Sequence, residues 1–158
     1  MLNIEKPANE IWDTVETHLN CWLAERQTLI NTYYEISGLK TYEKQSAPNQ
    51  YKLQQFCEQL VDYVSRGHFG IYEELNLEAK VFSIQAGNLN RTYQQIEETT
   101  EVALEFNDKY DLDIIPQDCI KQDLRNDLSK IGEAMALRFD LEDHLINLLH
   151  RKNKEIAA

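Results

Sequence analysis

The clearest helical pattern in this 158-residue chain is the stretch DCIKQDLRNDLSKIGEAMALRFDLEDHLINLLHR at residues 118–151. Apolar side chains recur through it at steps of three and four residues, as at Leu124, Leu128 and Ile131. This spacing aligns them along one stripe, since an α-helix turns once every 3.6 residues. No proline interrupts the stretch, and Asp118 can cap its start. The pattern predicts a long amphipathic helix that buries its stripe against other helices.

The same spacing predicts further helices at about residues 8–37, 50–66, 69–84 and 89–109. Only 5 glycines and 3 prolines interrupt the chain, and no segment alternates apolar and polar residues as a half-buried strand does. Amphipathic helices with short connections bury their stripes against one another. We therefore predict an all-α fold, an up-and-down helical bundle with a four-helix core and additional short helical segments.

Three glycine positions are expected to shape these helices. Gly67 and Gly70 bracket His68 and Phe69, which predicts a break or kink there. We expect His68, beside these glycines, to cap or pack rather than to bind a partner. Gly132 lies inside the last helix, where glycine costs about 1 kcal/mol relative to alanine. A close approach between two helices would compensate for that cost.

Length and composition bound the class of protein. A chain of this length is typical of one domain, so we expect a single bundle over residues 1–158 with a frayed polar tail at 152–158. No apolar run approaches the roughly 20 residues that span a bilayer, and the start of the sequence does not resemble a secretion signal. The widely spaced Cys21, Cys57 and Cys119 are expected to be buried thiols. These features predict a cytoplasmic protein without a membrane segment.

The charge of the chain constrains its partners. Its 27 acidic residues outnumber 16 basic ones, giving a net charge of −11. Phosphate binding needs clustered lysine and arginine, so direct binding to nucleic acid is not expected. Residues 97–113 are especially acidic. Such a face either keeps the protein soluble or attracts a basic partner, and the sequence is compatible with both.

The sequence lacks known catalytic motifs and offers only imperfect candidates for a metal site. The chain carries no GxSxG motif, no glycine-rich phosphate loop and no recognisable Cys-His signature, so we predict that it is not an enzyme. Helical bundles can hold a di-iron centre, and the candidate ligands are His68 with Glu73 and Glu74, and Glu142 with His144. Neither group has the Glu-x-x-His spacing of a ferritin-like site. We expect no metal and no cofactor, and a hemerythrin-like metal-binding bundle or sensor is the alternative hypothesis.

Three stretches of the sequence together resemble one known family. They are WLAERQ at 22–27 continuing to YY at 33–34 and GLK at 38–40, then FCEQLVDYVSRGHFGIYE at 56–73, and finally LSKIGEA at 128–134 with RFDLED at 138–143. The chain is similar over nearly its whole length to the regulator-of-sigma-D family (Rsd/AlgQ), whose members are anti-sigma factors of similar length. The middle stretch is the most specific of the three.

This resemblance implies a function as well as a fold. It implies an all-helical bundle that binds the C-terminal region 4 of the housekeeping sigma factor. Region 4 is a helix-turn-helix module that recognises the promoter −35 element and docks on RNA polymerase. A protein that covers region 4 blocks both contacts without covalent chemistry. The DNA-binding surface of a helix-turn-helix is basic, so an acidic protein can compete for it.

The resemblance supports Asp62 in particular as a contact with the partner. Residue spacing extends this contact into a ridge, because Ser65, Phe69, Tyr72 and Glu73 follow Asp62 at steps of three or four across the predicted kink. Residues of the first and last helices could line the same cleft. The predicted partner-binding residues are therefore Asp62, Ser65, Phe69, Tyr72, Glu73, Arg26, Arg138 and Glu142.

Overall fold

The structure is a computed structural model that describes residues 7–38, 50–111 and 117–157, with only the backbone described for 117–122 and 156–157. The predicted capping side chain of Asp118 therefore lies outside the described residues. Helices account for almost all of the described chain, and no strand occurs in it. In chain order the elements are α1 (Ala8–Ile36), α2 (Gln50–Arg66), a π-helical segment (Gly67–Ile71), α3 (Tyr72–Val81), α4 (Asn90–Tyr110), α5 (Gln117–Leu149), a 3-10 turn (Arg151–Asn153) and α6 (Lys154–Ala157).

The predicted all-α helical bundle is confirmed. Helix α1 packs against α2, α2 against α4, and α4 against α5, while α3 contacts both α1 and α5. Each long helix buries one stripe of apolar side chains, and these stripes form a common core. In the part of the chain that the structure describes, no helix combines the length and apolar character needed to cross a membrane. Of the cysteines expected to be buried, Cys57 is buried and Cys21 is exposed.

The centre of the core joins α1 to α2. Trp22 of α1 is fully buried, and its ring stacks on that of Tyr63 of α2 with centroids 4.7 Å apart. The indole N–H also donates a hydrogen bond of 3.1 Å to the backbone carbonyl of Tyr63. A buried tryptophan is thus both packed and hydrogen-bonded, which fixes the two helices relative to each other.

The break expected near Gly67 and Gly70 is instead a continuous π-helical segment that connects α2 to α3. Gly67 is buried, and a Cβ atom added to it would lie 3.1 Å from the ring of Trp22 and 3.2 Å from that of Tyr72. Glycine therefore allows the segment to approach the core closely. A π-helix holds more residues per turn than an α-helix, so the residues that follow it are rotated relative to α2.

Helix α3 ends earlier than the sequence pattern predicted, at Val81 rather than near residue 84. Ser83 adopts a φ of 53° and donates its backbone N–H to Lys80, while the N–H of Ile84 bonds to the carbonyl of Ala79 at 2.8 Å. These two bonds form a Schellman ending, which satisfies carbonyls of the last helical turn. Serine occupies the position that glycine usually takes, so no glycine marks the end of the helix in the sequence.

At Gly132 the structure shows a side-chain contact rather than the expected close approach of two helix backbones. Tyr33 of α1 lies over this glycine, and its hydroxyl donates a hydrogen bond of 2.8 Å to the carbonyl of Leu128 on α5. A Cβ atom at position 132 would lie 2.8 Å from the Cζ atom of Tyr33 and closer still to the hydroxyl oxygen. Only glycine leaves room for this contact between α1 and α5.

The predicted frayed tail is wrong for its first residues, because a buried polar cluster holds the chain there. His150 is fully buried, and its ring stacks on Trp12 of α1 with centroids 4.7 Å apart. Its Nδ1 atom lies 2.8 Å from Glu78 of α3 and its Nε2 atom 3.1 Å from Glu16 of α1. Asn153 is also buried and donates its amide to the carbonyl of Leu149 at 2.7 Å.

We expect Gly132→Ala to lower the free energy of unfolding by about 1–3 kcal/mol, because the added methyl group displaces Tyr33 from its hydrogen bond. Urea unfolding measures this. Gly70→Ala is the matched control, since nothing lies within 4 Å of its Cβ position, and the helix propensity of alanine should leave stability unchanged or raise it by up to about 1 kcal/mol. Equal effects of the two substitutions would contradict the contact between Tyr33 and Gly132.

Stability should also depend on pH through His150. Burial alone lowers the pKa of this histidine, but hydrogen bonds and charges of Glu78 and Glu16 outweigh burial and raise it above 6.5. A raised pKa stabilises the fold fully below the unfolded value and loses that contribution as pH rises through the folded value. The difference in unfolding free energy between the wild type and His150→Gln should therefore shrink from about pH 6 to pH 9. A difference that stays constant over this range would contradict the prediction.

Candidate functional site

An open groove of about 760 Å³ lies between α1 and α2 and extends onto the π-helical segment. Three of the predicted partner-binding residues, Asp62, Ser65 and Phe69, line this groove. They follow one another at steps of three and four residues, so they form a ridge along its α2 side. The facing wall comes from α1 and includes Glu25 and Thr28.

Phe69 is the most exposed large apolar side chain in the described part of the protein, at 82% exposure. It belongs to the π-helical segment, directly beyond the ridge residues of α2. An aromatic ring on the surface loses the stabilisation that burial would provide, about 25 cal/mol per Å² of apolar area. Such a ring beside polar side chains is typical of an anchor that becomes buried in a protein–protein interface.

The groove wall contains side-chain oxygens that accept no hydrogen bond from a described residue, and one carboxylate that is open to solvent. Oε2 of Glu25 and Oε1 of Gln59 are both buried and accept no hydrogen bond within the described chain. The other carboxylate oxygen of Glu25 forms an ion pair of 2.8 Å with Arg66. The exposed carboxylate of Asp62 adds a further acceptor. The groove is therefore suited to a partner that supplies donors, such as arginine, lysine or backbone N–H groups.

Behind the groove, Glu142 of α5 forms the centre of a buried polar network. Its side chain is 1% exposed, and Tyr63 and Tyr72 both donate hydrogen bonds to it, Tyr63 at 2.5 Å. Arg138 donates to it at 3.1 Å, and Arg26 approaches it at 3.4 Å. Every polar neighbour is a donor, which is the arrangement that an ionised carboxylate requires because it can only accept.

Arg138 extends this network from α5 to α4. The guanidinium is fully buried and donates to Thr99 at 3.2 Å and to Thr100 at 2.7 Å. It also donates to the hydroxyl of Tyr72 at 3.0 Å and contacts the carbonyl of Ile96 at 3.4 Å. A buried arginine is stable only when its donors are used in this way.

Burial and the neighbouring donors act in opposite directions on the pKa of Glu142. Burial raises the pKa of the Glu142 carboxyl, while Arg138, both tyrosine hydroxyls and Arg26 act to lower it. Burial and the nearby carboxylate also raise the pKa of Tyr63 and of Tyr72. Both tyrosines therefore keep their protons at neutral pH and act as donors to Glu142.

Arg26 joins the buried network to the surface. Its Nε atom donates to the hydroxyl of Tyr63 at 3.0 Å, and its Nη1 atom pairs with Asp143 at 2.6 Å. The side chain of Asp143 is 51% exposed, whereas that of Arg26 is 11% exposed. The guanidinium lies over the ring of Phe139, 4.7 Å from its centroid, which contributes a cation–π interaction.

The structure places seven of the eight predicted residues in two groups, and Glu73 belongs to neither. Asp62, Ser65 and Phe69 lie together in the groove, and Glu73 is exposed on α3 but is not among the groove-lining residues. The expected ridge does not continue to Tyr72, because the π-helical segment rotates this residue into the core. Arg26, Arg138 and Glu142 do come together as expected, but in a buried network rather than along an open cleft.

Several residues that shape the groove and the network are absent from the predicted partner-binding set. Glu25 and Gln59 line the groove, and Tyr63 and Thr100 belong to the network. A signal existed for Gln59, which lies three residues before Asp62 and so shares its face of α2. The pairing of Tyr63 with Glu142 had no such signal, because 79 residues separate them in the chain.

The structure gives no support to the metal-binding alternative within the described residues. No group of three or more His, Cys, Asp or Glu side chains in them is arranged to hold a metal ion. The candidate ligands have other environments. Nε2 of His68 lies 2.9 Å from the hydroxyl of Thr100, Glu142 is bound by the network, and Glu73 and His144 are exposed.

A family model and individual relatives both match this chain, and both are described as regulators of a sigma factor. Residues 1–150 match the family model described as Regulator of RNA polymerase sigma(70) subunit, Rsd/AlgQ. The protein named Regulator of sigma D from Yersinia enterocolitica is 34% identical over 128 residues, which cover 79% of this chain and 75% of the relative. The protein of that name from Pectobacterium atrosepticum is 35% identical over 132 residues, covering 82% and 85%. No solved structure gives a significant match.

Glu142→Ala should lower the free energy of unfolding by about 3–5 kcal/mol, because it leaves Arg138 as an uncompensated buried charge. Asp143→Ala, at the neighbouring exposed position, is the control and should cost less than about 1 kcal/mol. The double variant Arg138→Met with Glu142→Leu should recover much of the loss, since it removes both charges. Denaturant unfolding of the four proteins tests this, and a mild effect of Glu142→Ala would contradict the network.

Proposed function

Because this chain belongs to the Rsd/AlgQ family of regulators of the RNA polymerase sigma(70) subunit, we propose that it regulates transcription as a non-enzymatic anti-sigma factor. It binds region 4 of the housekeeping sigma factor. Occupation of that helix-turn-helix module prevents recognition of the promoter −35 element and docking on RNA polymerase. The alternative sigma factors then meet less competition for the core polymerase. Such a role places the protein in the cytoplasm, where transcription occurs.

The groove is chosen as the binding surface on one observation: the exposed ring of Phe69 lies there beside the carboxylate of Asp62. The ring supplies apolar area for an interface, and the carboxylate supplies orientation through charged hydrogen bonds. The exposed carboxylate of Asp62 can accept hydrogen bonds from donors of the partner. A DNA-binding helix-turn-helix offers such donors, because it carries arginine and lysine for phosphate and base contacts.

The net charge of the chain favours the same partner. At −11, the protein attracts a basic surface over several ångströms in solution, which raises the association rate at low salt. Salt screens this attraction, since the Debye length falls to about 10 Å at 0.1 M ionic strength. Binding should therefore weaken as salt is added. Inhibition by occlusion is also stoichiometric and involves no turnover, because the protein acts by covering its partner.

The binding surface can be tested by calorimetric titration of region 4 of the housekeeping sigma factor into the protein at two salt concentrations. We expect one-to-one binding that weakens as salt increases. Phe69→Ala should cost about 2 kcal/mol or more as an interface anchor, and Asp62→Ala at least about 1 kcal/mol.

Matched controls lie on α4, outside the groove. Leu104→Ala removes another exposed apolar side chain, and Asp108→Ala removes another exposed carboxylate. Both should leave the affinity nearly unchanged. Tight binding that is insensitive to Phe69→Ala and Asp62→Ala would retain the function but reject the groove. No binding at micromolar concentrations would reject region 4 as the partner.

A further inference from the structure

The groove is connected to the buried network through the π-helical segment that carries Phe69. His68 precedes Phe69 and bonds through Nε2 to Thr100 of α4 at 2.9 Å. Tyr72 follows the segment and donates to Glu142 of α5. Gly67, at the start of the segment, packs against Trp22 of α1. The backbone on both sides of the exposed ring is thus attached to three other helices.

The hydrogen bonds of Thr100 define the role of His68. The threonine hydroxyl accepts from Arg138 at 2.7 Å and lies 3.1 Å from the carbonyl of Ile96 and 2.9 Å from Nε2 of His68. In either tautomer of the imidazole His68 can bond to this hydroxyl, because a hydroxyl both donates and accepts. His68 is therefore joined to Arg138 through Thr100.

The electrostatic environment keeps this histidine neutral. Burial and the charge of Arg138 lower the pKa of His68, and only Glu97 acts to raise it. A neutral imidazole bonds to Thr100 without placing a second cation beside Arg138. The result is a chain of hydrogen bonds from the buried guanidinium through Thr100 to the π-helical segment.

A π-helical segment needs such support. π-helices are rare, occur mostly as short segments inside α-helices and are frequent at functional sites. A segment of five residues cannot hold this geometry by its own hydrogen bonds in preference to an α-helix, so tertiary contacts must select it. Among the hydrogen bonds of the described residues, the bond between Thr100 and His68 is the one that joins α4 to the π-helical segment.

We propose that Thr100 is a positioning residue for the partner-binding groove, because it fixes the π-helical segment through His68 and so holds the ring of Phe69 in its exposed orientation. The identity of the partner rests on the proposed function. The coupling of Thr100 to the π-helical segment does not depend on it. A ring held in its bound orientation binds with a smaller loss of conformational entropy, which strengthens affinity mainly by slowing dissociation.

Thr100→Val tests this coupling, since valine keeps the shape of threonine and removes its hydroxyl. Thr99→Val is the matched control. Thr99 also accepts from Arg138, at 3.2 Å, and its hydroxyl also lies close to the carbonyl of Ile96, at 2.6 Å, but it makes no hydrogen bond to the π-helical segment. Thr100→Ser is the rescue variant, because it restores the hydroxyl.

Two measurements are made on all four proteins. The first is amide hydrogen exchange of residues 68–71, which requires no partner and reports opening of the segment. The second is the dissociation rate of the complex with region 4. Thr100→Val should accelerate both by about fivefold, the effect of one lost hydrogen bond of about 1 kcal/mol. Thr99→Val and Thr100→Ser should resemble the wild type in both measurements, apart from any change in global stability.

The outcomes separate this inference from the function on which it rests. Unchanged exchange in Thr100→Val would overturn the coupling, as would an equal acceleration in Thr99→Val, which would indicate a general loss of stability. Faster exchange with an unchanged dissociation rate would also overturn the positioning role. If the wild type does not bind region 4, the proposed function fails, while the exchange measurement still decides whether Thr100 holds the segment.

Discussion

The carboxylate of Glu142 is buried in the centre of the bundle, and its need for hydrogen-bond donors constrains the helices around it. A buried charge without partners would destabilise the fold by several kcal/mol. Arg26 of α1, Tyr63 of α2, Tyr72 of α3 and Arg138 of α5 supply these donors. Apolar stripes alone would tolerate sliding of one helix along another. Arg138 lies on the same helix as Glu142, but only one register brings the donors of α1, α2 and α3 to this carboxylate of α5, so the network specifies the arrangement that the core stabilises.

The same network determines what the surface presents. Tyr72 is drawn inward by Glu142 and Arg138, and the π-helical segment accommodates the rotation that this requires. Phe69, three residues earlier, is left outside beside Asp62 and the wall of α1. The burial of Tyr72 and the exposure of Phe69 are therefore two consequences of the same π-helical geometry. This explains how an otherwise regular helical bundle can hold an exposed aromatic ring in a defined place.

The candidate site was predictable only where neighbouring residues share a helix face. Spacing along α2 and into the π-helical segment identified Asp62, Ser65 and Phe69 correctly as one group, because local helix geometry relates them. The same spacing failed at Tyr72, since an α-helical period was applied across a π-helical segment. Glu142 was selected from the last helix, but its burial was not foreseen because its partners come from distant parts of the chain. Charged residues are almost never buried unless paired, and such pairs are set by tertiary contacts.

The sequence by itself determined the all-α class, the approximate extent of each long helix and the need for a small residue at Gly132. Apolar periodicity and glycine chemistry act over a few residues, so these properties can be obtained without knowledge of the fold. Only the tertiary structure decided that Tyr33 fills the space over Gly132, that His150 and Asn153 hold the C-terminal turns, and that Glu142 lies inside the bundle. Each of these depends on groups separated by many residues in the chain, and packing alone brings them within hydrogen-bonding distance.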